Sequence, residues 1–410
     1  MTPSLAGLRI VEVSAFIAAP MAGMSLGQLG AEIIRIDPIG GNIDYRRWPL
    51  APSGTSLYWT GLNKGKRSVA IALNTPEGQE IAAALITAPA TDAQRDNGIL
   101  LTNLPASGWM SYAALAKRRS DLIMLKLIGN PDGSSAVDYT VNSASGFAIA
   151  TGADAAPLNH VLPAWDVAAG LYLATGLLAA ERARSRTGLG QEVTLSLYDV
   201  MASTVATLGY TADVRINAAV RPPMGNHLYG AFGRDFATAD GRHVMLVAIS
   251  NRQFRALGKA TGLEAALAEI GPRLAVDLST DAGRVAAREA ICAVLAPWCA
   301  ARTLSEIAAA LDGAGVLWGP YQDFGQLVRD DPRCSVANPI FAEIEQEGVG
   351  RVLTPRSPLR FGDAKTPQPL PAPPLGQDTD AVLADILGLS GAQIGSLHDR
   401  GIVQGGGPGR

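Results

Sequence analysis

Cysteine is scarce in this chain. Its 410 residues hold three, Cys292, Cys299 and Cys334, with no C-x-x-C pair and no histidine beside them. That spacing argues against a disulfide framework and against structural zinc. Histidine is nearly as rare, with four scattered copies at His160, His227, His243 and His398, and no H-E-x-x-H pair or G-x-S-x-G elbow occurs. Zinc-protease and serine-hydrolase chemistries therefore find no support. Long apolar runs are also missing. The Val167–Ala180 stretch, VAAGLYLATGLLAA, has 14 residues, short of the roughly 20 that a membrane span requires, and reads as a buried helix. The start, MTPSLAGLRIVEVSAF, lacks a basic segment followed by an apolar run and a cleavage site, so no secretory leader is expected and the cytoplasm is the default. Nor does one sign of charge dominate: 34 Lys+Arg against 37 Asp+Glu give a net charge of -3. Neither nucleic acid nor a membrane is expected as a partner, and any anion site must be local.

What is present is apolar substance and alternation. With 48% hydrophobic and 17% charged residues, the chain can bury a large core, and its length suggests two or three domains. LRIVEV at residues 8–13 and AEIIRI at 31–36 read as strands flanking a helical spacing of Met21, Met24, Leu26 and Leu29, a βαβ opening. SVAIAL at 68–73 reads as a third strand, followed by a helix with Thr75 as N-cap and Pro76 at its first position. ILLTNL, DLIMLKLI and QEVTLSL add further strands, with a helix from Asp166 to about Arg186 and another beginning at Asp199. Strands alternating with helices predict an α/β fold built on a mostly parallel sheet. After Arg215 the texture turns to Gly, Pro and Asn, with a hairpin at Ala239-Asp240-Gly241 and helical stretches to about Ala310. The expected organisation is residues 1–215 as the first part of a large domain, 225–325 as a small domain, and 335–404 returning to the large one. Within that return, QPLPAPPLG at 368–376 reads as an extended connector and 380–387 as a short helix, while the final GGGPGR is expected to be disordered.

The βαβ opening invites a dinucleotide reading, with Asp37 near the place of a ribose-binding acid. Only Gly23 lies between Val13 and Met24, so the glycines that let a backbone approach a pyrophosphate are missing. Asp37 is better read as closing a strand. The stretch Arg35–Arg67 carries six cations, Arg35, Arg46, Arg47, Lys64, Lys66 and Arg67, against Asp37 and Asp44, interleaved with Tyr45, Trp48, Tyr58 and Trp59. Cations for phosphates and aromatic faces for a base would make a ligand site; a solvated face accounts for them equally. Asp166 heads its apolar helix either as an N-cap or as an ionised carboxylate able to attack an acyl carbon, and the two roles are compatible. His227, in GNHLYGAFG, is either a turn residue or one that reaches a site from a glycine-permitted loop.

Several segments together resemble the family III CoA-transferases, the group that includes formyl-CoA and carnitine CoA-transferases. They are LAGLRIVEVSAFIAAPMAGMSLGQLGAEIIRID, NKGKRSVAIALNTPEG, the Asp166 helix with TGLGQEVTLSLYD, and PLGQDTDAVLADILGLS, in the family's order. The resemblance implies a Rossmann-like large domain built from both chain ends, a smaller inserted α+β domain, and ring-like subunits interlocked as a homodimer. It implies Asp166 as nucleophile, an acyl-CoA thioester as substrate, coenzyme A only as part of that substrate, and no permanently bound cofactor or metal. By position it places Asn103 and Leu104 at the adenine end of CoA, with Ile71 and Asn74 nearby and Tyr139 near the acyl group. Ile17 stands where formyl-CoA transferases carry glutamine, and their glycine-run loop is the sparser GNHLYGAFG, which argues against formate and oxalate. DPIGGNIDYRRWP, WTGLNKGKRS, VDYTVN, NHVLPAWD, LYGAFGRDF and LGKATGL look like the members that shift CoA between the two carboxylates of one branched unsaturated diacid, as in the 3-hydroxypropionate carbon-fixation cycle. Arg46, Arg47 and His227 are the candidates for holding the free carboxylate. Backbone amides near Asp166 or within 225–233 are candidates for stabilising the oxyanions. The rival readings are an intermolecular family III CoA-transferase for another dicarboxylate, a 2-methylacyl-CoA racemase, whose acid-base histidine is replaced here by Val137, and a CoA-ester-binding protein without turnover.

Overall fold

β-Branched and leucine-rich runs become strands wherever both faces of a sheet are covered. The computed structural model describes residues 3–89, 96–152, 156–362 and 367–405. Among them the strands, numbered in chain order, are β1 Arg9–Val13, β2 Glu32–Pro38, β3 Arg67–Ile71, β4 Ile99–Thr102, β5 Ile123–Ile128, β6 Gln191–Ser196, β7 Phe232–Ala237, β8 His243–Ala248, β9 Leu317–Pro320, β10 Phe341–Gln346, β11 Gly350–Pro355 and β12 Val403–Gln404. The described residues of Met1–Ser145, Val161–Ala212 and Pro332–Arg410 form one compact unit, and those of Gly146–His160 and Asp213–Asp331 form another.

The first unit is an α/β fold. Its seven-stranded sheet runs β12-β3-β2-β1-β4-β5-β6, parallel throughout except for β12 against β3. Ile10, Ile34, Ile36, Val69, Ile71, Leu100 and Met124 are sealed from solvent. The predicted N-cap holds: the Thr75 hydroxyl accepts from the Gly78 N–H at 3.0 Å and Pro76 opens the Pro76–Thr87 helix. The helix expected to begin at Asp199 instead runs Leu197–Thr207, with Ser196 as N-cap accepting from the Asp199 amide; Asp199 is the third helical residue. The β10–β11 hairpin, β12 and the Gly391–Asp399 helix were not anticipated. Residues 406–410, within the glycine-rich end expected to be disordered, lie outside the described residues.

The order of the strands reverses between β1 and β4. In open α/β sheets the crevice beyond the strand C-termini at such a point is where ligands bind. Two helices meet there, Ala18–Gly27 after β1 and Ala164–Thr187 before β6. They approach closely because position 170 is glycine: a Cβ there would lie 2.8 Å from the Ala18 carbonyl oxygen and 3.3 Å from Met21 Cβ.

The second unit packs an antiparallel sheet, β7-β8-β9, against helices that include Asn251–Thr261 and Arg288–Ala300. The predicted hairpin joins β7 to β8, where the Thr238 hydroxyl accepts from the Arg242 N–H at 3.0 Å and Gly241 takes a φ of 72°. Residues 146–160, given to the large domain in the sequence reading, pair here: Met224 N–H donates to Ala150 O at 3.0 Å and Gly225 N–H to Gly152 O at 3.2 Å. Cys292 and Cys299 are free thiols in this core, and burial pushes both up, Cys299 to about 12. Both are therefore packing groups and not nucleophiles.

Candidate active site

β1 ends in a turn whose backbone is held almost entirely by side chains. The Ser14 carbonyl accepts from Arg35 Nη2 at 3.0 Å and Asn42 Nδ2 at 3.2 Å. Asn103, just past β4, accepts from the Ala15 N–H at 2.9 Å and donates to the Ala15 carbonyl at 2.6 Å, mimicking one more step of β1–β4 pairing. Phe16 adopts the left-handed region with a φ of 64°, unusual for a bulky residue, and its N–H donates to Asp44 Oδ2 at 3.0 Å.

Behind the turn lies a buried charge cluster. Arg35, 1% exposed, donates to Asp37 at 2.8 and 3.0 Å, to Asp44 and Glu12 at 3.3 Å and to Asn63 at 3.0 Å. Lys66 Nζ donates to both Glu12 oxygens at 2.7 and 2.9 Å, to Pro20 O and to Asn63 Oδ1. Burial draws the Lys66 ammonium down to about 8 against the pull of Glu12, and raises the Asp44 carboxyl. These partners alter the meaning of the local cation excess. Arg35 and Lys66 are internal, Arg67 is taken by Glu32 and Asp385, and Lys64 is largely buried against the Gly61 carbonyl. Asp37 pairs with Arg35, the structural role the missing glycines implied.

Arg46 and Arg47 remain exposed, and neither has an ion-pair partner among the described residues. The Arg47 guanidinium lies 5.5 Å from the Phe16 ring centre and 5.3 Å from that of Tyr58, a cation held between two aromatic faces. Trp59, by contrast, is buried against Arg35 and Tyr45. Tyr58 is pushed up to about 12, first by burial; Arg47 opposes this, while Asp166, Asp44 and Tyr139 add to it. The phenol thus stays protonated as a donor, in electrostatic reach of Asp166.

The helix bearing Asp166 begins at Ala164 with Pro163 as N-cap, so Asp166 is its third residue and not its cap. An acid at that position ordinarily reaches back to the N-cap N–H, and proline has none. The first-turn amides are capped from elsewhere: Asp138 Oδ2, on the Asp138–Ala144 helix, accepts from Trp165 N–H at 2.7 Å and Asp166 N–H at 3.0 Å. Those two amides are therefore unavailable as oxyanion donors. Trp165 Nε1 ties the same helices together through Asn142 Oδ1 at 3.2 Å. Asp166 is left without a hydrogen-bonded partner among the described residues, and burial, then the Asp138 charge, raise it to about 6. It is ionised at neutral pH by about ten to one, yet more basic than a solvated aspartate.

The structure thus brings Asp166, Tyr139, Tyr58 and Arg47 into one electrostatic neighbourhood, with Tyr139 exposed beside Asp138. Ile17 is the half-buried N-cap of the Ala18–Gly27 helix. Asn103 and Leu104 are half-buried at the β4 end, with the Asn103 amide already engaged by Ala15. Asn74 is exposed beyond β3, whereas the Ile71 side chain is at 0% exposure in the core and offers a ligand no surface. His227 lies in the second unit, where Nε2 faces Glu289 Oε1 at 3.2 Å and burial lowers its pKa; a neutral imidazole does not supply the cation a carboxylate would need. Val137 is exposed, with its N–H donating to the Thr140 hydroxyl. Sequence reading passed over Asp138 and Phe16 as site residues, although Asp138 stood next to the missing racemase histidine, and it named Tyr58 only as one aromatic face of the Arg35–Arg67 stretch. Among the described residues no three His, Cys, Asp or Glu gather to hold a metal, and no single helix is long and apolar enough to cross a membrane.

Comparison with known proteins gives the geometry a context. The profile of CoA-transferase family III matches residues 5–379. The 2-methylfumaryl-CoA isomerase of Chloroflexus aurantiacus is 50% identical over 404 residues, covering 98% of either chain. The succinyl-CoA:glutarate CoA-transferase of Homo sapiens is 27% identical over 411 residues, covering 97% of this chain and 90% of its own. A crystal structure of a CAIB/BAIF family protein from Brucella suis matches the fold with a TM-score of 0.76 at 24% identity, over 94% of this chain and all of that one. The α/β sheet, the family profile and a relative identical at half of its positions agree: this enzyme belongs to CoA-transferase family III.

Proposed function

We propose that the enzyme moves coenzyme A from the C1 to the C4 carboxylate of 2-methylfumarate (mesaconate) within one bound diacid, by way of Asp166. The observation that carries the chemistry is the Asp166 carboxylate, half-buried, without a hydrogen-bonded partner among the described residues and raised to about 6. The substrate assignment rests on the 50% identity to a 2-methylfumaryl-CoA isomerase.

Asp166 attacks the C1 thioester carbonyl; an acyl C–O bond forms, the C–S bond breaks, and CoA departs as thiolate from a mixed anhydride. The thiolate attacks the Asp166 acyl carbon, giving an aspartyl-CoA thioester and releasing the C1 carboxylate. The C4 carboxylate of the retained diacid then attacks that thioester, expelling thiolate and forming the second anhydride. Thiolate attack at C4 yields the isomer and regenerates ionised Asp166. No proton moves in the balance. The protonated Tyr58 phenol is a donor for the developing oxyanions, and Arg47, free of acidic partners, holds the waiting carboxylate by charge. Retaining the diacid replaces a second-order encounter with an intramolecular one. A racemase would need a proton-exchanging base where Val137 stands.

The same reading includes a homodimer. Val214 and Ile216 are 52% and 80% exposed, and the Tyr210–Asn217 helix buries none of its residues, an arrangement a second copy would cover.

Purified enzyme is incubated with mesaconyl-C1-CoA and isotopically labelled free mesaconate, with Asp166→Ala in parallel. Unlabelled C4 isomer, absent in the variant, is the expected result. Label in the product would make this an intermolecular transferase, and no C4 isomer would remove the mesaconyl assignment.

A further inference from the structure

Two carboxylates share one helix N-terminus. Asp138 is 2% exposed, and its Oδ2 takes the Trp165 and Asp166 amides at 2.7 and 3.0 Å. Among the described residues its Oδ1 has no hydrogen-bond partner and no Lys, Arg or His forms an ion pair with it. The positive pole of the Ala164–Thr187 helix is therefore the chief compensation for its charge. Asp166, on the same turn, has lost both local donors: Pro163 has no N–H, and the following amides are spent on Asp138. The other titratable groups around the pair are the Tyr58 and Tyr139 phenols, with Arg47 and Asp44 beyond Tyr58.

We propose that Asp138 is a positioning residue for the transfer: it fixes the turn that carries Asp166 and opposes the negative charge of that carboxylate, so that acylation of Asp166 relieves a repulsion present in the resting enzyme. The proposal rests on Asp166 being the nucleophile. When an Asp166 oxygen bonds to the thioester carbon and the C–S bond breaks, the negative charge leaves on sulfur and the aspartyl group becomes neutral. The charge beside Asp138 is discharged at that step and restored only when the last anhydride opens. A like-charged neighbour thus favours the covalent states over the free carboxylate.

Asp138→Asn keeps the size and an oxygen that can accept the same two N–H groups while removing the charge. On the full-length enzyme with mesaconyl-C1-CoA, the acid limb of kcat/KM against pH is expected to move down, by no more than about one unit because burial is the larger cause of the raised Asp166 carboxyl. The covalent aspartyl species trapped by rapid quench and intact-protein mass spectrometry is expected to fall several-fold. Asp138→Ser, a smaller neutral acceptor, repeats the test if the amide variant does not fold. An unmoved acid limb with an unchanged covalent fraction, whatever happens to Tm or KM, overturns the proposal. An active Asp166→Ala control would instead overturn the nucleophile assignment beneath it, whereas an inactive control with an unmoved limb confines the failure to Asp138.

Discussion

At the scale of the residue, the proposed nucleophile Asp166 owes its raised carboxyl to surroundings that leave it unsatisfied. Its carboxyl is raised from 3.8 to about 6, so above that pH its ionised form burdens the folded state; the burden fades as pH falls below 6 and is gone below 3.8, where the group is protonated in both states. Asp166→Asn is therefore expected to abolish turnover and also to stabilise the protein, by up to about 3 kcal/mol at pH 8 and by almost nothing near pH 4. Chemical denaturation at the two pH values measures the difference, and equal gains at both would contradict the account. Arg47 has a different signature. Its loss in Arg47→Ala should lower kcat/KM for the diacid ester by about 10- to 100-fold, the worth of one charged contact, while a CoA ester with no second carboxylate changes little. Equal losses for both substrates would assign Arg47 to CoA and not to the free carboxylate.

At the scale of the element, the decisive fact is how two helices are brought together. Gly170 lets the helix bearing Asp166 lie against the Ala18 carbonyl, so Gly170→Ala sets a helix-propensity gain of about 1 kcal/mol against overpacking of about 1–3 kcal/mol. Net destabilisation in urea titrations is expected, with a lower kcat because the turn at residues 164–166 shifts with its helix; a more stable and fully active variant would show that the helices part without consequence. Much at this scale was legible in sequence. The β1, β2 and β3 runs, the Thr75 cap and the β7–β8 turn announce themselves through local pattern. What stayed hidden was non-local. That Asp138 caps a helix beginning 26 residues later, or that Glu12 neutralises Lys66 across 54 positions, leaves no periodic trace. A count of charges in the Arg35–Arg67 stretch could not separate ions sealed in the interior from the free Arg47. Nor does β-propensity reveal that Ile71 faces the core.

At the scale of the whole molecule, the exposed aliphatic groups and the homodimer reading make a direct prediction. Light scattering on the eluting protein should give twice the 42.6 kDa chain mass, and a monomer at working concentration would remove the partner copy from the account. The sheet carries a further consequence. Its edge strand β3 is covered by β12, with Val403 opposite Ile71 and Gln404 opposite Ala70; the Thr379 hydroxyl joins the two by accepting from Ala70 N–H at 3.1 Å and donating to Gln404 O at 2.8 Å. A ribosome makes β3 more than three hundred residues before it makes the strand that covers it. During all of that synthesis the edge of β3, apolar over Val69–Ile71, stands open to pairing with any passing strand. The nascent chain is thus most vulnerable in the interval before β12 emerges, and cells short of chaperones should lose this enzyme to aggregation during translation rather than after it.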